Sequence, residues 1–212
     1  MKSKTFWMLF GLLLFSGMKL CSQNFKFGFI AGMDIAKSYL KDKPDIQNLD
    51  YFPMISYNLN GYIGYKSSRL WGLSVEPGFI QKGFVFKNEQ YGNIRSQINY
   101  IQLPMLLDIY LTKKICLSAG PEIAYMINAK LKDKVNPGSG NNTDSYDKRF
   151  ELSGIIGLNY KITEKIGVNF RYNRGLTYTR ELTHFVNLVN SNDIPKEYNQ
   201  YFQLSVRYIN WR

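Results

Sequence analysis

The sequence predicts an all-β fold, an eight-stranded antiparallel up-and-down transmembrane β-barrel with short periplasmic turns and long extracellular loops. Three observations lead there. Eight segments alternate apolar and polar residues with period two. The connections between them alternate between short and long without exception. The chain also opens with the pattern of an export signal.

That opening has Lys2 and Lys4, an apolar run from Phe6 to Phe15 and a polar boundary near Ser22-Gln23. The run is about half the length a helix needs to cross hydrocarbon. Cleavage after Ser22 divides the chain into a signal peptide, 1–22, and one outer-membrane barrel domain, 23–212. Cys21 raises the alternative of a lipoprotein, but Leu20 is large for the position before a modified cysteine. Removing the signal lowers the formal charge from +11 to +8 and leaves Cys116 as the one cysteine, which excludes an internal disulfide and a cysteine-rich metal site.

The first strand, Phe25 to Ala36, sets Phe25, Phe27, Phe29, Ala31, Met33 and Ile35 against Lys26, Gly28, Gly32 and Asp34. The second, Met54 to Tyr65, opposes Ile55, Tyr57, Leu59 and Ile63 to Ser56, Asn58 and Asn60. In the third, Leu70 to Lys82, Trp71, Leu73, Val75 and Phe79 face away from Ser74, Glu76 and Gly78. The fourth, Tyr100 to Tyr110, collects Ile101, Leu103, Met105, Leu107 and Ile109 on one side and Gln102, Pro104 and Asp108 on the other.

The fifth, Ile115 to Ala129, separates Leu117, Ala119, Ile123, Tyr125 and Ile127 from Ser118, Gly120 and Glu122. The sixth, Phe150 to Tyr160, separates Leu152, Ile156 and Leu158 from Glu151, Ser153, Gly157 and Asn159. The seventh, Ile166 to Tyr178, alternates Val168, Phe170 and Tyr172 with Asn169, Arg171 and Asn173. The eighth, Tyr201 to Trp211, alternates Phe202, Leu204, Val206 and Tyr208 with Gln203, Ser205 and Arg207.

Tight turns at 66–69, 112–114 and 161–165 alternate with long stretches at 37–53, 83–99, 130–149 and 179–200. An even strand count puts both mature termini on the short-turn side, read as periplasmic. A soluble barrel would turn its apolar face inward. Here the apolar faces carry almost no charge, while the opposite faces mix glycine with isolated charges of both signs, as a narrow membrane barrel requires. Inward charges must then be paired, so Glu76, Glu122, Glu151, Arg171 and Arg207 are expected to form an interior structural network. Such an interior is nearly filled by side chains, which argues against an open diffusion pore. Trp71, Trp211, Tyr57, Tyr125, Tyr172 and Tyr178 are candidates for interfacial belts, and Pro77 and Pro121 for breaks in strand pairing.

No cofactor and no metal site is expected, and no catalytic residue is assigned. The lone histidine, His184, lies in a long loop near Thr179 and Thr183; an acyl-hydrolysing or other lipid-modifying barrel could use such a pair, but a non-catalytic loop histidine is the preferred reading. Basic residues are dispersed without a stripe or recognition element, which argues against nucleic acid. The short turns hold Lys66, Arg69, Lys113, Lys114, Lys161 and Lys165 against Glu164, a net +5 that either meets anionic headgroups or serves turn solubility. The 130–149 stretch, with Pro137-Gly138-Ser139-Gly140-Asn141-Asn142, reads as flexible turn. In the last long loop Phe185, Val186, Leu188 and Val189 either pack against the rim or form a contact patch.

Several ordered motifs resemble the PorT-like outer-membrane β-barrel family of Bacteroidetes. These are Phe25-Lys26-Phe27-Gly28-Phe29-Ile30-Ala31-Gly32-Met33-Asp34, Glu76-Pro77-Gly78-Phe79-Ile80-Gln81-Lys82-Gly83, Asn99-Tyr100-Ile101-Gln102-Leu103-Pro104, Ala119-Gly120-Pro121-Glu122 and Arg171-Tyr172-Asn173-Arg174-Gly175-Leu176. The resemblance spans the mature chain and implies an outer-membrane barrel; its namesake branch takes part in protein secretion and gingipain maturation. The end, Asn210-Trp211-Arg212, departs from the terminal aromatic residue common in such barrels. The expected protein is a monomeric, non-enzymatic barrel surrounded by outer-membrane lipids, with a ligand or an envelope or secretion protein as possible partner.

Overall fold

A computed structural model describes residues 25–41, 51–88, 92–132, 140–182 and 194–210. The signal segment, His184, the Phe185 to Val189 segment and Trp211 lie outside the described residues. Eight long strands follow in order: β1 (Phe25–Lys41), β2 (Met54–Lys66), β3 in two pieces (Trp71–Val75 and Gly78–Asn88), β4 (Gly92–Tyr110), β5 (Ile115–Lys132), β6 (Phe150–Lys161), β7 (Ile166–Gly175) and β8 (Lys196–Asn210). Each pairs antiparallel with its chain neighbours, and β1 pairs with β8, from Phe27↔Asn210 to Lys41↔Lys196. The sheet is therefore closed without a free edge, the condition for crossing hydrocarbon with strands.

The barrel is inside-out relative to a soluble protein. Phe29, Leu59, Ile101 and Leu204 are 57, 58, 59 and 59% exposed, whereas Asp34, Glu76, Glu122 and Glu151 are 0% exposed. A water-soluble sheet would expose the second set and bury the first, so the apolar band has to face lipid. Trp71 is exposed at the short-turn end of this band, as expected for an interfacial ring.

Several boundaries differ from the sequence expectation. β1 continues to Lys41, β5 to Lys132, and β8 begins at Lys196 rather than Tyr201. The 83–99 stretch, expected as a loop, is mostly a hairpin: β3 runs to Asn88 and β4 starts at Gly92. The reason is that the strands outlast the hydrocarbon. Beyond it the outward residues turn polar, as with Lys37, Lys41 and the Gln81-Asn99-Asn128 amide row, so the contrast between faces disappears while period two persists. Part of the 130–149 stretch is also ordered, with Gly140–Asn141 paired to β5 and a 3-10 turn at Thr143–Ser145.

Both prolines sit where ladders are interrupted. Pro77 lies in the gap between the two pieces of β3, where its carbonyl accepts from Gly61 N–H at 2.8 Å. Pro121 falls where pairing of β4 with β5 lapses between Leu107↔Ala119 and Pro104↔Glu122, so its missing N–H removes no bond of that ladder. Higher up, a bulge shifts the register between Asn99↔Asn128 and Tyr100↔Met126, which turns Ala129 inward.

Leu59 lies near the middle of β2 on the lipid face. Leu59→Arg is expected to cost about 2–4 kcal/mol in unfolding free energy in lipid vesicles, whereas Lys37→Arg on the rim leaves stability unchanged. Chemical unfolding of the refolded variants measures both, and equal stabilities would contradict a lipid-facing β2.

Candidate functional site

The lumen is spanned by charge pairs. β3 and β7 stand four places apart in a ring of eight, so residues on them face each other across the full width. Period two points Glu76 and Arg171 inward, and they meet as a fork: Arg171 Nη1 donates to Glu76 Oε2 at 2.5 Å and Nη2 to Oε1 at 2.8 Å. Both are essentially buried. Gly157 makes this reach possible, since a Cβ there would stand 2.5 Å from Arg171 Cγ.

A second layer lies toward the long-loop end. Lys82 Nζ donates to Glu122 Oε1 at 2.9 Å and to Glu151 Oε1 at 3.0 Å, joining β3, β5 and β6. One cation between two carboxylates leaves negative charge over, and neutral donors share it: Tyr201 Oη to Glu122 at 2.7 Å and Asn199 Nδ2 to Glu151 at 2.8 Å. Asn199 also donates to Tyr100 Oη at 3.1 Å. The rings of Tyr100 and Tyr201 stand 5.0 and 5.2 Å from Lys82 Nζ. Gly83 follows with φ +144, and a Cβ there would meet Ser96 O at 1.9 Å, so only glycine lets the strand pass this close. Between these layers Asn58 donates to both oxygens of Asp34 at 3.0 Å, and nearer the short turns Ser118 donates to Asp108.

The five residues expected to form one network therefore occupy three places. Glu76 and Arg171 pair with each other, and Glu122 and Glu151 share Lys82. Arg207 stands apart at the short-turn mouth with its guanidinium 5.3 Å from the Tyr62 ring centre. Lys82 is the residue that sequence reasoning missed, although the inward series Ser74, Glu76, Gly78 reaches it two steps further on. Asn199 had no such signal, because residues 179–200 read as loop.

At the long-loop end the lumen is closed by side chains. Tyr51 stacks on Phe84 at 4.0 Å, and Ile80, Ile98, Met126 and Tyr146 pack beneath the rim. Arg180 Nη2 donates to buried Glu197 at 2.7 Å, and Tyr51 Oη donates to the same carboxylate at 3.2 Å. Burial first, and the Glu197 charge second, push the Tyr51 phenol above the ordinary tyrosine range; burial does the same for Tyr146. Both phenols consequently stay protonated and serve as neutral hydrogen-bonding groups. Lys148 and Lys196 approach the Tyr178 ring at 3.7 and 5.1 Å. No cluster of three or more metal-ligating side chains occurs among the described residues.

A profile described as outer membrane protein beta-barrel domain matches residues 21–180. Comparison with curated protein sequences finds no match. Among solved structures, Neisserial surface protein A (NspA) is similar with a TM-score of 0.50 at 12% identity, over 86% of this chain and 96% of that one. At that identity the likeness is one of fold. The attachment invasion locus protein Ail of Yersinia pestis aligns over 88% of this chain and 99% of its own, with a TM-score of 0.48 and 12% identity. OprG of Pseudomonas aeruginosa aligns over 90% and 98%, also with a TM-score of 0.48 and 12% identity.

Removing one partner of a buried pair leaves the other without a counter-charge, so Arg171→Met is expected to cost about 3–5 kcal/mol. Arg171→Met combined with Glu76→Gln recovers most of that loss, because no bare charge remains. Urea unfolding of the single and double variants measures the coupling, and simple additivity would mean that the pair is not a unit.

Proposed function

The chain belongs to the outer membrane protein β-barrel domain family, and from that premise we propose that it is a non-enzymatic barrel whose long-loop end binds a ligand or an envelope partner. The observation that carries this reading is the filled lumen. From Arg171 and Glu76 through Lys82 to Tyr51 and Phe84, buried side chains occupy the barrel's width. The chemistry left for a partner is at the ends, and connections held on a rigid wall are well suited to binding. The long-loop rim offers Tyr178 with Lys148 and Lys196 beside it, and the sequence adds the apolar Phe185 to Val189 segment. In this reading the short turns and both mature termini face the periplasm, residues 1–22 are removed as a signal, and the barrel sits as a monomer among outer-membrane lipids.

A role in secretion or envelope assembly is the second reading, motivated by the PorT-like motifs. Those motifs are built largely from residues with work inside the barrel. Glu76 takes Arg171, Pro77 marks the break in β3, Lys82 takes Glu122, and Gly83 needs its positive φ. Motifs with such duties support a shared fold more than a shared activity, which is why loop-based binding is preferred.

Gene deletion with comparison of the secreted proteins, together with crosslinking and mass spectrometry on intact cells, separates the two. The expected result is a normal secretome and crosslinks that depend on the long loops. Unprocessed cargo in the periplasm, with crosslinks through the short turns, would favour the secretion role instead. In planar bilayers the refolded protein is expected to give no large, steady conductance, and a porin-sized current from a monomer would contradict the filled lumen.

A further inference from the structure

The opposite end of the barrel is built differently. Inside the ring of short turns lies a cavity of about 520 Å³, lined by Lys66 at the end of β2, Arg69 in the next turn, Lys113 and Lys114 between β4 and β5, Lys161 at the end of β6, and Arg207 of β8. A second hollow of about 460 Å³ shares Lys66, Lys113, Lys114 and Lys161 and adds Glu164. Among the described residues that glutamate is the one carboxylate lining either space, and it is committed: Lys161 Nζ donates to it at 2.5 Å, a contact that holds the Glu164 carboxyl below the usual carboxylate range. Four chain segments distant in sequence thus bring like charge to one place, where Lys26 lies within the fields of Lys66, Lys161 and Arg207.

Arg207 separates this arrangement from ordinary turn solubility. Lys82, Arg171 and Arg180 each reach a carboxylate. Arg207 is 8% exposed, yet among the described residues no carboxylate lies within ion-pair distance of it. Asp108 lies in the field of Arg207 but does not pair with it, and its carboxylate accepts from Ser118 instead. A buried cation with only an aromatic ring beside it and no carboxylate in ion-pair reach is costly. Here it is turned toward a cavity of small-molecule size.

We propose that this mouth is a binding site for a small, multiply charged phosphate-bearing anion, with Arg207 at its floor and Lys66, Lys113, Lys114 and Lys161 around it. Arginine offers a planar fork to phosphate oxygens, and lysines supply mobile point charges, so the set suits an anion with several phosphate oxygens. The cavity's volume matches a small ligand. Tyr110, with Lys66 Nζ 4.4 Å from its ring centre, closes one wall and keeps that lysine over the opening. The site rests on the mouth's own geometry; the proposed orientation adds that the anion comes from the periplasmic side.

The test is calorimetric titration of inorganic pyrophosphate into the full mature barrel, refolded in a non-ionic detergent at low ionic strength. Saturable binding of one pyrophosphate per barrel is expected, weakening as salt is raised. Arg207→Gln, and separately Lys66→Gln with Lys114→Gln on the exposed rim, are each expected to weaken it by about tenfold or more. Lys37→Gln with Lys41→Gln, at the far end of β1, leaves it unchanged. Should Arg207→Gln not fold, judged by the heat-induced gel shift of barrels, the rim pair alone decides.

Absence of saturable binding, or equal weakening by the Lys37 and Lys41 variant, overturns the proposal. So does selective uptake of a polyglutamate peptide without pyrophosphate. Repeating the titration in nanodiscs identifies the source of the phosphate. Binding retained in both phosphatidylcholine and phosphatidylglycerol supports a soluble anion. Binding lost only in phosphatidylglycerol supports a lipid headgroup in the same site.

Discussion

The bridge between Arg171 and Glu76 is the contact around which the remaining interior is arranged. It crosses the barrel from β7 to β3, strands on opposite walls, in a bidentate geometry that tolerates little change in separation. A strand slipped by one residue would turn one of these charges into lipid and leave the other bare within the lumen, so the pair penalises wrong register from both sides. Gly157 is part of the same arrangement, because the space its missing side chain leaves is the path of the arginine. Lys82 repeats the principle one layer further along. It ties β3 to β5 and β6, while Tyr201 and Asn199 bring β8 into contact with the same two carboxylates.

These braces make the two ends of the molecule unlike. Above Lys82 the inward residues become apolar and aromatic, and Tyr51 and Phe84 stack over them. Arg180 and Glu197 near that rim pair with each other. Below the Arg171 layer, positive charge gathers around a cavity, with Glu164 the one carboxylate beside it among the described residues. The long-loop end therefore offers rings, amides and apolar loop residues, with lysines such as Lys148 and Lys196 beside Tyr178. The short-turn end offers a strong excess of positive charge. A partner at one end would need a different chemistry from a partner at the other.

How far the sequence could be read depends on where contrast between the two faces of a strand survives. Between Phe27 and Ile35, or Ile101 and Ile109, every second residue is apolar and lipid-facing, and the inward positions follow by parity alone. Beyond the hydrocarbon the outward face holds Lys37, Lys41 and Asn99, and strand looks like loop. That is why the hairpin across 83–99 and the first turn of β8 were not legible, and why Glu197 and Asn199 were not expected inside. Lys82 was within reach of the parity argument. Its role was obscured because it sits at the end of the segment whose contrast was clear.

By itself the sequence determined the strand count, the inverted distribution of polarity and the inward direction of Glu76, Glu122, Glu151, Arg171 and Arg207, because all of these are local consequences of a two-residue repeat and of chain connectivity. Tertiary structure alone decided which charges meet. Parity gives each side chain a side of the wall but neither its height nor its neighbour across the lumen, and both depend on register, on the break at Pro77 and on the bulge opposite Tyr100. Glu76 and Arg171 are 95 residues apart in the chain, and only closure of the ring brings them face to face. The same closure left Arg207 away from them, over Tyr62 and beside the lysines of the short turns.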